Sequence, residues 1–303
     1  MSKPFSTIEE QIAILQSRGI KVDENTASIL LRENYYCVVN GYKEFFLDDT
    51  GQVDSFKPGT TFMDIYTLFL LDRELRHLFF HKILIVEAMM KTVIAYYSCE
   101  HYKDDPLFYL DRDTYEGKKE SIEKLLAMLQ RCYDDDRENI SHYRTTHGHV
   151  PFWVLVNNLN FGTLSWYFKL LKPRGIKQRV VNNLAILCSN DDRPGVFTVE
   201  KLSLDLRVLV EFRNVCAHNE RFYCHVSNKL NIKPESPATI ASLFIVLGKY
   251  LSTENLSVFT DGLLNQLGTF VEGGDVSIQV VEKIVSSLLG EDVDLKSGQW
   301  KER

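Results

Sequence analysis

The chain has 303 residues, of which 45% are hydrophobic and 25% charged, and carries a formal net charge of −6. This is the composition of an ordinary soluble globular protein, long enough to bury a large core in one or two domains. The acidic balance excludes a nonspecific nucleic-acid coat but leaves a local basic groove open.

Helical periodicity runs through nearly the whole sequence, which predicts an all-α fold. Thr7–Arg18 opens on a good cap with acids in the first turn. Asn25–Phe46 reads as a second helix with a short tail, and Asp48–Gly59, with two glycines and a proline, as a loop. Thr61–His101 has a period near 3.6, with Leu68, Leu71, Leu75, Leu78 and Phe79 as its apolar stripe. Its length argues for a bend. A turn at Asp104–Asp113 precedes a charged amphipathic helix over Gly117–Arg144. Helices follow over Pro151–Leu171 and Pro173–Leu187, then a polar loop at Asn190–Gly195 and a helix over Val199–Phe222. Lys233–Pro237 marks a boundary before helices at Ile240–Tyr250, Glu254–Phe270 and Ser277–Leu289. The expected organisation is an N-terminal helical segment (1–59), a helical core (60–232) and a C-terminal helical segment (233–303).

Six cysteines (37, 99, 132, 188, 216 and 224) are scattered without CxxC spacing. They read as buried thiols of a reducing cytoplasm. The N-terminus starts on a charged helix rather than a signal peptide. Glu87 and Lys91 interrupt the strongest apolar run, so no membrane span is expected.

The chemistry concentrates in Arg213-Asn214-Val215-Cys216-Ala217-His218-Asn219-Glu220-Arg221. On a helix, Asn214, His218 and Arg221 share one stripe at i, i+4 and i+7, which Arg207 and Val210 extend backward. Arg213 flanks it. Phe212 and Cys216 fall nearly opposite, with Leu209 and Val215 supporting the apolar face. Arg beside His suits RNA cleavage. Histidine exchanges protons near neutral pH, and a guanidinium fork neutralises a phosphate in its transition state. Asn214 orients either group. RNA supplies its own 2′-hydroxyl nucleophile, so no cofactor and no metal is called for. The same residues would also make a plain solvated helix end.

This signature, Arg213-Asn-x-x-Ala-His218-x-x-Arg221, resembles that of the Abi-like (abortive infection) proteins of the HEPN superfamily. Three further blocks are similar in the same order: Leu31–Tyr42; Asp64–Arg76, continued by Ile85-Val-Glu87; and Pro151–Ser165 with its Trp153 and Phe161-Gly-Thr163. One departure is Lys91, where the family often has Arg. The resemblance implies a HEPN-type helical bundle with additional N- and C-terminal helices. It implies a metal-independent endoribonuclease with Arg213 and His218 catalytic and Asn214 helping, its site joining two such helices across a homodimer. It further implies a role in phage defence or a toxin–antitoxin pair, with a small noncoding RNA as regulator. A non-catalytic RNA-binding protein using the same face is the alternative reading, and a protein-interacting helical scaffold a third.

Other features admit two readings each. Lys169, Lys172, Arg174, Lys177 and Arg179 carry five cations without an intervening acid, as an RNA-backbone patch or a solvated face. A second Arg-x-x-x-x-His falls at Arg137–His142, without the following Asn; His142 stays a candidate RNA contact because His142-Tyr143 also resembles a family block. His147-Gly148-His149 lacks Cys or carboxylate companions at ligand spacing and reads as a loop. Tyr35, Tyr36 and Tyr42 suit base stacking or core packing.

Overall fold

A computed structural model describes residues 5–48, 55–188, 197–233 and 236–272, with short pieces at 282, 284–286, 292–294 and 299–301. The described chain is all-α apart from two short antiparallel pairs. Its elements are α1 (Ile8–Ser17), α2 (Thr26–Glu33), α3 (Phe62–His101), α4 (Lys119–Tyr133), α5 (Glu138–Thr146), α6 (Phe152–Leu155), α7 (Phe161–Leu170), α8 (Arg174–Cys188), α9 (Val199–Ala217), β1 (Val226–Lys233), β2 (Ser236–Thr239), α10 (Ile240–Tyr250), α11 (Thr253–Glu272), β3 (Asp292–Asp294) and β4 (Gln299–Lys301). No helix among the described residues is long and apolar enough to cross a membrane. By backbone proximity the chain forms two compact units, each discontinuous in sequence: residues 1–78, 219–225 and 260–303, and residues 79–218 and 226–259.

In the first unit, α1 starts on a capping box in which Thr7 and Glu10 cap each other's backbone N–H groups. The expected second helix stops early. Asn34, at φ 68°, ends α2, and a π-helical turn (Tyr36–Asn40) and a 3-10 turn (Lys43–Phe46) replace its continuation. Tyr42 is buried, Tyr36 is 72% exposed and Tyr35 lies between. The start of α3 is fixed by Thr61 and Asp64, whose side chains accept from each other's N–H at 3.1 and 2.7 Å.

Helix α3, whose length argues for a bend, runs as one continuous helix of 40 residues. No glycine or proline lies within it to supply a break. Leu68, Leu71, Leu75 and Phe79 are fully buried, and Leu78 is half-buried.

The second unit corrects another span. The helix expected over Gly117–Arg144 is two, α4 and α5, parted at Asp134–Arg137. There Asp135 accepts the Arg137 N–H at 2.8 Å, and Arg144 reaches back to the Tyr133 carbonyl at 2.6 Å. Asn160 caps α7 by accepting the Thr163 N–H at 2.8 Å. A Cβ on Gly162 would come within 3.3 Å of that Asn160 oxygen and 3.7 Å of Val210 on α9. The Phe161-Gly162-Thr163 segment thus combines a helix start with close packing on α9. At the boundary expected over Lys233–Pro237, β1 and β2 pair with Lys233 opposite Ser236, and α10 follows over the expected residues. The expected loop at Asn190–Gly195 lies outside the described residues, as does most of the expected helix Ser277–Leu289.

Candidate active site

Helix α9 is held on one side and bare on the other. Its N-cap Thr198 accepts the Lys201 N–H at 3.2 Å. Leu202, Leu206, Leu209 and Phe212 are at most 2% exposed. Buried Asp205 accepts from Lys249 Nζ at 2.5 Å and from the Tyr250 hydroxyl at 2.6 Å, tying α9 to α10 within the same unit. The opposite side presents Arg207, Asn214 and His218, all exposed. Cys216, expected on the apolar face, is only half-buried.

Arg213 lies at the edge of this stripe with its side chain 30% exposed. Its Nε is 3.8 Å from Glu87 Oε2, whose carboxylate pairs through Oε1 with Lys91 Nζ at 2.9 Å. The guanidinium carbon stands 5.9 Å from the centre of the Phe80 ring. Arg213 Nε and Glu87 Oε2 are both buried and have no hydrogen-bond partner among the described residues. At 3.8 Å they attract as charges but are too far apart to share a hydrogen bond. Glu87 and Lys91 had no role in the site as read from the sequence. The signal available was two charges four residues apart inside an apolar helical run.

The motif helix ends earlier than expected. Ala217 is the last helical residue, His218 is the C-cap and its N–H bonds to the Asn214 carbonyl at 2.9 Å. Asn219 follows with φ 58°, the left-handed conformation that stops a helix and that Asn tolerates. Arg221 is therefore not on the stripe of Asn214 and His218. In the first unit its guanidinium bonds to the Gly41 carbonyl at 3.0 Å and to Glu44 at 3.2 Å. A contact with RNA would have to share or replace these bonds.

The segment 219–223 is pinned within that unit by Asp72 and Arg76. Arg76 donates to Asn219 Oδ1 at 2.6 Å, to the Glu220 carbonyl at 2.8 Å and to Asp72 at 2.7 Å. The fully buried Asp72 carboxylate also accepts from the Tyr42 hydroxyl at 2.7 Å, the Tyr223 N–H at 2.7 Å and the Phe222 N–H at 3.1 Å. Burial raises the Tyr42 hydroxyl pKa, with the Asp72 charge acting in the same direction.

The five cations of 169–179 do not form one free patch. Lys169, Lys172 and Arg174 are exposed. Lys177 is buried, donates to the Lys169 carbonyl at 3.1 Å and pairs with Glu116 at 3.6 Å. Burial lowers its pKa, opposed by Glu116. Arg179 pairs with Glu100. His142 is exposed on α5, 3.4 Å from the Thr146 hydroxyl, with its ring near His147. The cysteines also depart from expectation: Cys188 is buried, Cys37 is exposed and the other four are half-buried, all as free thiols.

The fold and site define an all-α protein presenting an Arg–Asn–His face at the end of a packed helix. The chain belongs to the Abi-like protein family, whose match covers residues 28–224. That span takes in α3, the Trp153 and Phe161-Gly162-Thr163 segments and the whole of α9. Neither curated proteins nor solved structures gave a match.

Proposed function

We propose that this protein is a metal-independent endoribonuclease of the HEPN type, acting in phage defence under the control of a small structured RNA. The observation that carries the reading is the end of α9, where exposed His218 and Asn214 adjoin Arg213 and its buried partner Glu87. Membership of the Abi-like family supports the defence role.

In the proposed reaction His218 removes the proton of a ribose 2′-hydroxyl. The oxygen attacks the adjacent phosphorus, and the bond from phosphorus to the 5′-oxygen breaks. A second imidazole donates the proton that this oxygen needs as it leaves. The products are a 2′,3′-cyclic phosphate and a 5′-hydroxyl. Arg213 neutralises the charge that grows on the non-bridging oxygens. Its guanidinium is partly exposed, so it can reach a phosphate while Glu87 limits its swing. The α9 motif of one chain supplies a single His, and acid–base work at one phosphate needs two positioned groups. The working form is therefore a homodimer with two His218 side chains facing one site.

The test incubates the purified protein with end-labelled RNA in EDTA and reads the termini formed, with light scattering for mass. Cleavage to cyclic phosphate by a dimer supports the proposal. Binding without cleavage overturns it in favour of a non-catalytic RNA-binding protein.

A further inference from the structure

The second unit carries a groove away from the α9 motif. One wall is α3, through Thr92, Tyr96 and Glu100; the other is α6 and the turn after it, through Trp153 and Asn157. It encloses about 540 Å³, within the range of small-ligand sites. Trp153 is 56% exposed although Phe152, Val154 and Leu155 around it are buried, and Tyr96 is 60% exposed. Two large aromatic side chains thus stay open to solvent on opposite walls of one groove. Core packing does not account for that.

The polar groups of the groove share one character. Asn157 Nδ2 donates to the Trp153 carbonyl at 3.0 Å, which leaves its Oδ1 as an acceptor. The Thr92 hydroxyl donates to the Ala88 carbonyl at 3.0 Å, which leaves its lone pairs. Glu100 is an acceptor outright, and Arg179 holds only its Oε2. The matching ligand is flat, presents adjacent N–H donors on one edge and carries negative charge near the cation at the rim.

We propose that this groove takes an unpaired guanine of single-stranded RNA, stacked on Trp153 and Tyr96, with its Watson–Crick edge on Glu100 and Asn157. Guanine puts N1–H and N2–H side by side, which suits a carboxylate. Uracil places carbonyls on both sides of its single N–H and would set acceptor against acceptor. Arg179 meets the neighbouring phosphate. The proposal rests on the reading that RNA is the ligand, and adds where and which base it recognises.

The experiment uses 2′-fluoro hexamers, which lack the nucleophilic hydroxyl and cannot be cut. Affinities for UUUGUU and UUUUUU are measured by fluorescence anisotropy for the full-length parent, Trp153→Leu and Glu100→Gln. The parent should prefer the guanine hexamer by about tenfold, and Trp153→Leu should bind it roughly ten- to a hundredfold more weakly, the range of one lost stacking contact. Glu100→Gln, an exposed and isosteric change, should erase the preference: UUUGUU affinity falls, and UUUUUU binds at least as tightly as to the parent, because an amide N–H can meet a uracil carbonyl. Because Glu100→Gln sits on the surface, it keeps the test decisive if Trp153→Leu misfolds. A preference unchanged in Glu100→Gln, or parent-like binding by folded Trp153→Leu, overturns the guanine site. So does a drop in solution mass in Trp153→Leu with RNA affinity intact, which makes the groove a contact between chains. A parent that cuts RNA but shows no guanine preference removes this inference alone. A parent that neither binds nor cuts RNA removes the endoribonuclease reading with it.

Discussion

Arg213 Nε and Glu87 Oε2 lie 3.8 Å apart, both buried and neither hydrogen-bonded among the described residues. A carboxylate so placed restrains a guanidinium without consuming its donors, which is what a phosphate-binding arginine requires. Glu87→Gln keeps the shape and removes the charge. It should lower kcat for RNA cleavage by about tenfold or more while KM changes little, because a misplaced positioning group acts on the transition state. A parent-like kcat in the folded variant would separate Glu87 from the function of Arg213.

Asp72 should be the most sensitive polar position of the first unit. Asp72→Ala strips acceptors from the Tyr42 hydroxyl and the Phe222 and Tyr223 N–H groups, and leaves Arg76 buried without its counter-ion. Removing one partner of a buried pair costs about 3–5 kcal/mol. Tyr42→Phe removes one donor and should cost only about 1 kcal/mol. Urea melts check both, and an Asp72→Ala loss below that of Tyr42→Phe would contradict the ranking.

Among the cations of 169–179, the exposed ones should carry RNA binding. Lys172→Glu with Arg174→Glu should weaken binding on every sequence and reduce the salt slope by about two ions. Lys177→Glu should act on stability instead, by about 1–3 kcal/mol, because it sets a largely buried carboxylate beside Glu116. Titrations at several salt concentrations, paired with thermal melts, separate the two effects.

Thiol reactivity should follow burial. Burial pushes Cys99 and Cys188 up to about 11. Both stay protonated at pH 8, and because thiolate is the reactive form, their alkylation should rise only as pH climbs toward that value. Cys37, exposed, should react first. Peptide mass spectrometry after an iodoacetamide pulse at pH 8 reads the order. Early modification of Cys188 would contradict it.

Much of this was legible in the residues themselves. Thr7 and Glu10 announce the cap of α1, and the leucines of α3 mark its buried stripe because both signals are local. The helical period of Gly117–Arg144 hides the break at Asp134-Asp135-Asp136, which parts α4 from α5. The end of α9 was not legible. Asn219 adopts its left-handed conformation in a segment pinned by Arg76, a residue 143 positions away in the chain. The same holds for Lys177, whose acid partner Glu116 lies outside the segment that looked free of acids, and for Glu87, which meets Arg213 only when α3 and α9 pack. Trp153 stands among apolar neighbours in the sequence, and only the fold shows it exposed.

In the proposed reaction His218 and Arg213 cut RNA through the substrate's own 2′-hydroxyl. The most direct measurement follows cleavage in EDTA of one RNA and of the same RNA with a single 2′-deoxy sugar at the mapped site, by the parent and by folded His218→Ala. The parent should cut the first substrate, His218→Ala should lose at least about a hundredfold, and the deoxy site should be protected. Equal cleavage by His218→Ala, or cutting at the deoxy position, would contradict it.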